Sequence, residues 1–220
     1  MQCIKDTIKN INIVIGCNIG CSYCYARMNN NRFHTIDDFN KPVFFENKLK
    51  MLDNKRYTAY LLTGQSDLSG WNEEWKDKVF SKMKENENTQ YIFLTKRPEN
   101  INLKETPDNG WFGVTVTSSK EKTRIDYLRN NIKAKHYHIT FEPMFDDVGK
   151  LDLNNISWIV IGTETGNRKG KISSKREWVF NIYNQAKEKN IPVFMKEDLL
   201  GILNEDEFVQ EFSKEFGEIK

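Results

Sequence analysis

Three of the chain's four cysteines lie close together, in the stretch GCNIGCSYCYAR. Cys17, Cys21 and Cys24 are spaced C-x3-C-x2-C, and the fourth cysteine, Cys3, lies apart near the start of the chain. Thiolates are ligands of zinc and of iron–sulfur clusters, so thiols crowded in this way predict a shared metal centre. Four cysteines in 220 residues do not resemble a secreted disulfide framework, and we expect a reducing, cytoplasmic setting.

Two kinds of metal centre are open to these cysteines. A structural zinc site needs four ligands, typically from two separated pairs, and here only Cys3 or His34 could supply the fourth. A [4Fe–4S] cluster on three thiolates leaves one iron without a protein ligand, free to bind a substrate or cofactor. Because the sequence has no second cysteine pair, it favours the cluster, with zinc as the alternative.

Ionisable side chains follow directly on apolar segments elsewhere in the chain. They define a candidate catalytic set of Lys96, Glu142, Glu164 and Lys196. Charged groups rarely lie so close to a core unless they converge on a common site. For any one of them, a solvated loop residue or a simple ion pair is the competing interpretation. Their number favours a shared polar pocket.

Short apolar segments rich in β-branched and aromatic residues predict the strands that would position these groups. They lie at 11–16, 57–63, 90–95, 111–117, 136–141, 157–163 and 191–196. Between them, amphipathic patterns predict helices. The patterns include a repeat of every fourth residue at Trp71, Trp75, Val79 and Met83, and capping-box pairs of Ser118 with Glu121 and Ser174 with Glu177.

Alternating strands and helices predict a parallel α/β fold. In a barrel the carboxyl ends of all strands share one rim, where the charged residues would meet, whereas an open sheet would spread them along a line. We therefore expect a partial, TIM-like (β/α)6 barrel with an N-terminal loop for the Fe–S cluster and a C-terminal helix at about 203–217. Residues 1–220 are expected to form a single domain.

Charge and hydropathy limit the range of partners. The net charge of +2 and the pI near 8.2 are too mild to imply nucleic acid by themselves. No apolar stretch is long enough for a membrane span, and the first residues do not form a signal peptide. Lys96, Arg97, Lys196 and the basic loop 168–171 predict a positive lip suited to an anionic substrate, a nucleotide or DNA, with a solvated loop as the alternative.

The cysteine spacing, placed after the first predicted strand, resembles the signature of the radical S-adenosylmethionine superfamily. This resemblance implies that Cys17, Cys21 and Cys24 ligate a [4Fe–4S] cluster whose open iron binds S-adenosylmethionine. A reducing electron donor would then drive cleavage of S-adenosylmethionine to methionine and a 5′-deoxyadenosyl radical, which abstracts hydrogen from a substrate. Tyr23, just before the third cysteine, matches the superfamily's habit of contacting the adenine there.

The same resemblance implies cofactor contacts at the ends of two further strands. In the superfamily a Gly-Gly-Glu-like segment after the second strand holds the methionyl amino group, and this chain reads TGQSD there, without the glutamate. An ordinary turn is the competing interpretation of that segment. The fourth strand of the superfamily often contacts the ribose or the carboxylate, although β-propensity also explains threonines in that strand. The candidate cofactor residues are Gly64, Gln65, Ser66, Asp67, Thr115 and Thr117.

Five further segments extend the resemblance over nearly the whole chain. FLTKRPENI, WFGVTVTS, HITFEPMF, WIVIGTETG and IPVFMKEDL resemble, in order, the motifs of a phage-associated radical-SAM-like family of unassigned function. That family is distantly similar to spore photoproduct lyase, and it implies a small three-cysteine-motif partner protein. Thr140 and Thr163 depart from its commonest residues. The alternative is a zinc- or cluster-stabilised nucleic-acid-binding protein without radical chemistry.

Overall fold

The computed structural model describes residues 2–54 and 58–216, and its central feature is one parallel sheet. Within those residues seven strands form the sheet, and every neighbouring pair is parallel. In sheet order they are β1 (Ile8–Asn10), β4 (Ala59–Leu61), β5 (Gln90–Thr95), β6 (Gly110–Thr115), β7 (His136–Phe141), β8 (Ile156–Ile161) and β9 (Val193–Met195). The sheet curls into a half-barrel. The predicted α/β fold is confirmed, with seven strands in place of the expected six.

Helices accompany the strands along the chain. They are α1 (Ile4–Thr7), α2 (Tyr25–Phe33), α3 (Glu73–Glu85), α4 (Thr123–Asn131) and α5 (Arg176–Glu188). In α3 the Asn72 side chain accepts a hydrogen bond from Trp75 N at 2.9 Å, while Val79 and Met83 are buried. The four-residue apolar repeat therefore predicted this helix correctly. None of the helices in residues 2–54 and 58–216 has the length and apolar character needed to cross a lipid bilayer.

Both predicted capping boxes are wrong. Glu121 accepts from the backbone N–H and the hydroxyl of Thr117 at 2.7 and 2.8 Å, and not from Ser118. The Ser174 hydroxyl donates to Thr163 Oγ1 at 3.0 Å, two residues before α5 begins. In each case the end of a buried strand offers a hydrogen-bond partner that competes with the local cap.

The predicted first strand, 11–16, also differs from the structure. The sheet strand β1 lies earlier, and Ile11 N still donates to Leu61 O at 3.0 Å. The chain then forms β2 (Val14–Ile15), which pairs antiparallel with β3 (Val43–Phe44) in a separate ribbon. The apolar run reflects the burial of β2, and a buried strand of a ribbon has the same sequence pattern as a buried parallel strand. The first residue of the predicted strand 57–63 lies outside the described residues.

The tail predicted as a C-terminal helix is not helical in its described part, 203–216, and residue 217 lies outside it. It forms the 3-10 turns Glu205–Glu207 and Lys214–Phe216 and an antiparallel bridge from Gln210 to Phe194 in β9. Gln210 Nε2 donates to Gln2 O at 2.8 Å, so the tail joins β9 to the N-terminal segment. Its phenylalanines are spaced by four residues, which fits one side of an extended chain as well as one face of a helix.

The interior of the half-barrel is filled in layers. The layer at the amino ends of the strands is aromatic and packs Trp111, Trp158 and Phe194 against Phe216 of the tail. Above it, the His138 ring lies against Gly113, where any Cβ would overlap the ring. Polar and charged residues follow at the carboxyl edge. The core thus seals one end of the half-barrel and leaves the functional residues at the other.

Candidate functional site

A loop carrying the three cysteines, residues 16–25, lies over the carboxyl edge of the sheet; we call it the thiol loop. Gly16 N donates to Gln65 O at 3.0 Å, and the Tyr25 hydroxyl donates to Gly64 O at 2.6 Å. On the other side, Arg97 Nη1 donates to Asn18 Oδ1 at 3.4 Å. The residues contacted follow β4 and β5, so the thiol loop lies at the edge where an α/β barrel places its active site.

Local geometry shapes the thiol loop. Gly16 has φ +115°, and a Cβ there would lie 2.9 Å from Pro42 Cα, so the turn and the close approach both require glycine. Cys24 is the N-cap of α2, with its Sγ accepting from Arg27 N at 3.4 Å. The Arg27 side chain returns to the loop and donates from Nη2 to Cys17 O at 2.7 Å.

The three thiols are half-buried and close enough to influence one another. Burial raises the pKa of the Cys17 thiol, and the charges of Asp67, Cys21 and Cys24 raise it further. Across residues 2–54 and 58–216, no three His, Cys, Asp or Glu side chains are arranged to hold one metal ion. A tetrahedral zinc site would need its sulfurs about 3.8 Å apart. In a [4Fe–4S] cluster each thiolate would bind a different iron.

Neither residue considered as a fourth zinc ligand joins the three thiols. Cys3, which precedes β1, donates its thiol hydrogen at 3.1 Å to Oε1 of Glu197, which follows β9. His34 is exposed at the end of α2, where it adopts the left-handed conformation with φ 48°. Among the described residues, Cys3 and His34 therefore make contacts away from the three thiols.

Two of the four candidate catalytic residues meet at the edge. Lys196 forms an ion pair with Glu142 and lies 3.3 Å from Asp198 Oδ2, above Gly162. Burial alone would lower the pKa of Lys196, but the charges of Glu142 and Asp198 more than offset it and hold that pKa above its usual range. Sequence reasoning missed Asp198, although it stands two residues after Lys196 in the quoted segment IPVFMKEDL.

Lys96 and Glu164 lie apart from that ion-pair group. Lys96 Nζ lies 3.4 Å from Thr115 Oγ1 and 5.9 Å from the centre of the Tyr23 ring, so three predicted residues meet there. Glu164 is buried and accepts two bonds from Arg168, at 2.5 and 2.8 Å. These bonds hold the pKa of Glu164 below its usual range. Glu164 thus anchors the loop that follows it.

Two tyrosines connect the thiol loop to the rest of the edge. Tyr23 packs edge-on against Phe145 at 5.5 Å, and burial raises its pKa, with a further contribution from Cys21. Tyr25, which sequence reasoning missed, has its pKa raised by burial and then by the charges of Cys24 and Glu142. Its hydroxyl donates to Gly64 O, which joins the start of α2 to the end of β4.

The predicted cofactor segment after β4 divides into two parts. Gly64 lies at the edge, and a Cβ there would be 3.0 Å from Asn12 Oδ1, so glycine permits the close approach. Gln65 contributes its carbonyl to the thiol loop. The side chains of the other members point into local contacts: Ser66 Oγ accepts from Trp71, and Asp67 accepts from Thr95 Oγ1 and Lys96 N at 2.7 and 2.8 Å.

The remaining predicted positions show a similar division. Thr117 is buried and donates its hydroxyl to Glu121, whereas Thr115 faces Lys96. Of the predicted positive lip, Lys196 and Arg168 are neutralised by carboxylates. Lys96 and Arg97, at the end of β5, form no ion pair among the described residues, and their side chains contact Thr115 Oγ1 and Asn18 Oδ1 instead.

The fold and this edge define a class: a parallel α/β half-barrel with three thiols and a charged rim at the carboxyl ends of its strands. The chain belongs to the DUF5131 family, described as proteins of unknown function, whose match spans residues 2–218.

Curated relatives match only part of the chain. Lipase 1 of Staphylococcus aureus, in strains Mu50 and COL, is 35% identical over 98 residues. The match covers 44% of this chain and 14% of each lipase, so the chain spans a small fraction of their length. No solved structure matches.

Proposed function

We propose that this protein is a radical S-adenosylmethionine enzyme built on a partial TIM-type barrel. The observation that carries the proposal is the position of Cys17, Cys21 and Cys24 on one loop over the carboxyl edge of the half-barrel, bound to the ends of β4 and β5. The thiols lie beside a rim of charged side chains, and their number leaves one iron of a [4Fe–4S] cluster without a protein ligand.

When bound, the cluster would supply the electron that cleaves S-adenosylmethionine to methionine and a 5′-deoxyadenosyl radical, which abstracts hydrogen from the substrate. The chain's own residues bind and orient. Tyr23 presents an aromatic ring beside Lys96, suited to contact with adenine. Gly64 and Gln65 bring the backbone of the β4 end against the thiol loop. Thr115 lies within reach of the same Lys96 amine.

Charge at the edge supports an anionic substrate. Lys96 and Arg97 lack carboxylate partners within the described chain, so they can bind a carboxylate or phosphate. Lys196 stays protonated because Glu142 and Asp198 raise its pKa, and it can donate a hydrogen bond to substrate without losing its proton. Nucleotides and nucleic acids are the substrate class that this arrangement suits.

The proposal includes a setting and partners. A cytoplasmic location suits reduced thiols. An electron donor must reach the cluster, and a small three-cysteine-motif protein is proposed as a further partner on the strength of the family resemblance.

The test is anaerobic reconstitution with iron and sulfide, followed by assay of 5′-deoxyadenosine after reduction with dithionite in the presence of S-adenosylmethionine. We expect a brown protein that forms 5′-deoxyadenosine. Cys21→Ala should lose both the colour and the product, because it removes a ligand. Cys3→Ser is the matched control, since Cys3 lies beside Glu197, and it should retain both. An intact cluster that yields no 5′-deoxyadenosine would refute the proposal.

The same reconstituted protein also distinguishes two other functions from the proposed one. A zinc-stabilised protein would be colourless and air-stable, with stoichiometric zinc. A nucleic-acid-binding protein with a structural cluster would bind DNA or RNA in a salt-dependent way without turning over S-adenosylmethionine. A serine-hydrolase function has little support, because the sequence contains no G-x-S-x-G. In addition, His136 stacks on Trp111 and His138 lies 3.0 Å from Phe93 O.

A further inference from the structure

Arg27 is a charged side chain that lies against the thiol loop. Its backbone N–H donates to Cys24 Sγ at 3.4 Å, and its Nη2 donates to Cys17 O at 2.7 Å. The guanidinium lies over the Phe39 ring, 5.0 Å from its centre. Arg27 therefore contacts two of the three cysteine residues and is held in place by an aromatic ring.

The Arg27 guanidinium has no carboxylate within ion-pair distance among the described residues. Its Nε is hidden from solvent and has no hydrogen-bond partner in the described chain. Leaving a buried N–H without an acceptor is costly, so the Arg27 Nε indicates that a hydrogen-bond acceptor binds beside it. A cluster on three thiolates would supply sulfur acceptors there, and it would carry a net negative charge.

A second source of positive potential acts at the same place. Cys24 is the N-cap of α2, and the positive end of the helix dipole faces the thiol loop. α2 has no acidic residue in its first turn to offset this field. Both contributions stabilise the form of a cluster that carries more negative charge, and that is the reduced form.

We propose that Arg27 is a positioning residue that raises the reduction potential of the cluster bound by Cys17, Cys21 and Cys24. The inference rests on the proposed function only in requiring a cluster on those thiols. A unit charge within about 10 Å of a partly buried site changes a one-electron equilibrium by at least about tenfold. Tenfold corresponds to about 59 mV for one electron.

The experiment is an anaerobic redox titration of the reconstituted protein, with the reduced cluster followed by its EPR signal. Arg27→Gln keeps hydrogen-bond donors but removes the charge, so we expect the midpoint potential to fall by about 59 mV. Arg27→Lys keeps the charge and should remain near the wild-type value. Arg32→Gln is the matched control, because Arg32 lies on the same helix over the Phe33 ring and should leave the potential unchanged.

Each outcome of this titration supports or overturns the proposed role of the Arg27 charge. An unchanged potential in an Arg27→Gln protein with full iron content overturns the inference, and so does loss of the cluster in both Arg27 variants, since the role is then structural. If only Arg27→Gln fails to hold iron while Arg27→Lys loads with the wild-type potential, the requirement for charge stands. A wild-type protein that binds no iron overturns the proposed function itself, together with this inference.

Discussion

His138 lies in the middle layer of the half-barrel and is 1% exposed. Its Nε2 is 3.0 Å from Phe93 O, and the ring occupies the space left by Gly113. Burial lowers the pKa of His138 to about 4. This imidazole is therefore neutral in the folded protein at physiological pH, and it separates the aromatic layer from the polar edge.

The burial of neutral His138 predicts that the folded protein loses stability in acid. An unfolded histidine has a pKa of about 6.5, so between pH 6.5 and 4 the unfolded chain binds the proton that the folded chain excludes. The free energy of unfolding should fall by about 3 kcal/mol from this residue as the pH drops through that range, with no further loss below it. Urea unfolding at several pH values measures this loss. His138→Gln should flatten the slope, and an unchanged slope would contradict the assignment.

At the residue level, residue types and their spacing predicted the site only where the residues involved are close in sequence or directly follow a strand. The cysteine spacing placed three thiols on one loop because their proximity in sequence forces proximity in space. Lys196 and Glu142 were also found, from their positions after strands. Tyr25 and Asp198 were missed, since their roles depend on how separate elements meet.

At the level of elements, Asp67 joins the end of β4 to the end of β5. Its carboxylate accepts from Ser69 N, Ser69 Oγ, Thr95 Oγ1 and Lys96 N, at 2.7 to 3.0 Å. The residue is buried, so these donors have no water to replace it. The hydrogen bond from Lys96 N to Asp67 positions Lys96, whose side chain lies beside Tyr23.

Asp67→Ala should lower the free energy of unfolding by about 3 kcal/mol, because it leaves several buried donors without an acceptor. Urea denaturation of the metal-free protein measures the effect without any cofactor. Asp77→Ala, at an exposed position on α3, should change stability by less than about 0.5 kcal/mol. A stable Asp67→Ala protein with weakened S-adenosylmethionine binding would instead restore Asp67 as a cofactor contact.

Element types were predicted better than element ends. The repeat at Trp75, Val79 and Met83 identified α3 because a helix must bury one face whatever its neighbours are. The helix caps predicted at Ser118 and Ser174 are wrong because threonines at strand ends form the competing hydrogen bonds. Thr117 bonds to Glu121, and Thr163 bonds to Ser174. A sequence pattern registers local partners and does not register these tertiary ones.

At the level of the whole molecule, the two ends of the chain close one side of the half-barrel. Gln210 bonds both Met195 O in β9 and Gln2 O, at 3.1 and 2.8 Å. Phe216 then reaches the aromatic layer, with its ring centre 4.6 Å from that of Trp111. The four-residue spacing of its phenylalanines predicted a helix. The tail instead pairs with β9, whose edge is otherwise unpaired among the described residues, and the spacing carries no information about that edge.

Phe216→Ala should lower the free energy of unfolding by about 3 kcal/mol, because the ring is fully buried and its removal leaves a cavity. The comparison is Phe33→Ala, whose ring is 64% exposed and should cost far less. Thermal unfolding of the two variants measures the difference. Equal stabilities would show that the tail does not pack into the half-barrel.

We propose that three thiolates leave one iron of a [4Fe–4S] cluster open to S-adenosylmethionine. EPR of the anaerobically reconstituted, dithionite-reduced protein tests it directly, with S-adenosylmethionine carrying a 15N-labelled amino group. The account predicts a [4Fe–4S] signal whose g values shift on addition and which gains hyperfine coupling to the label. A cluster spectrum that is identical with and without S-adenosylmethionine, or a colourless protein that holds zinc, would contradict it.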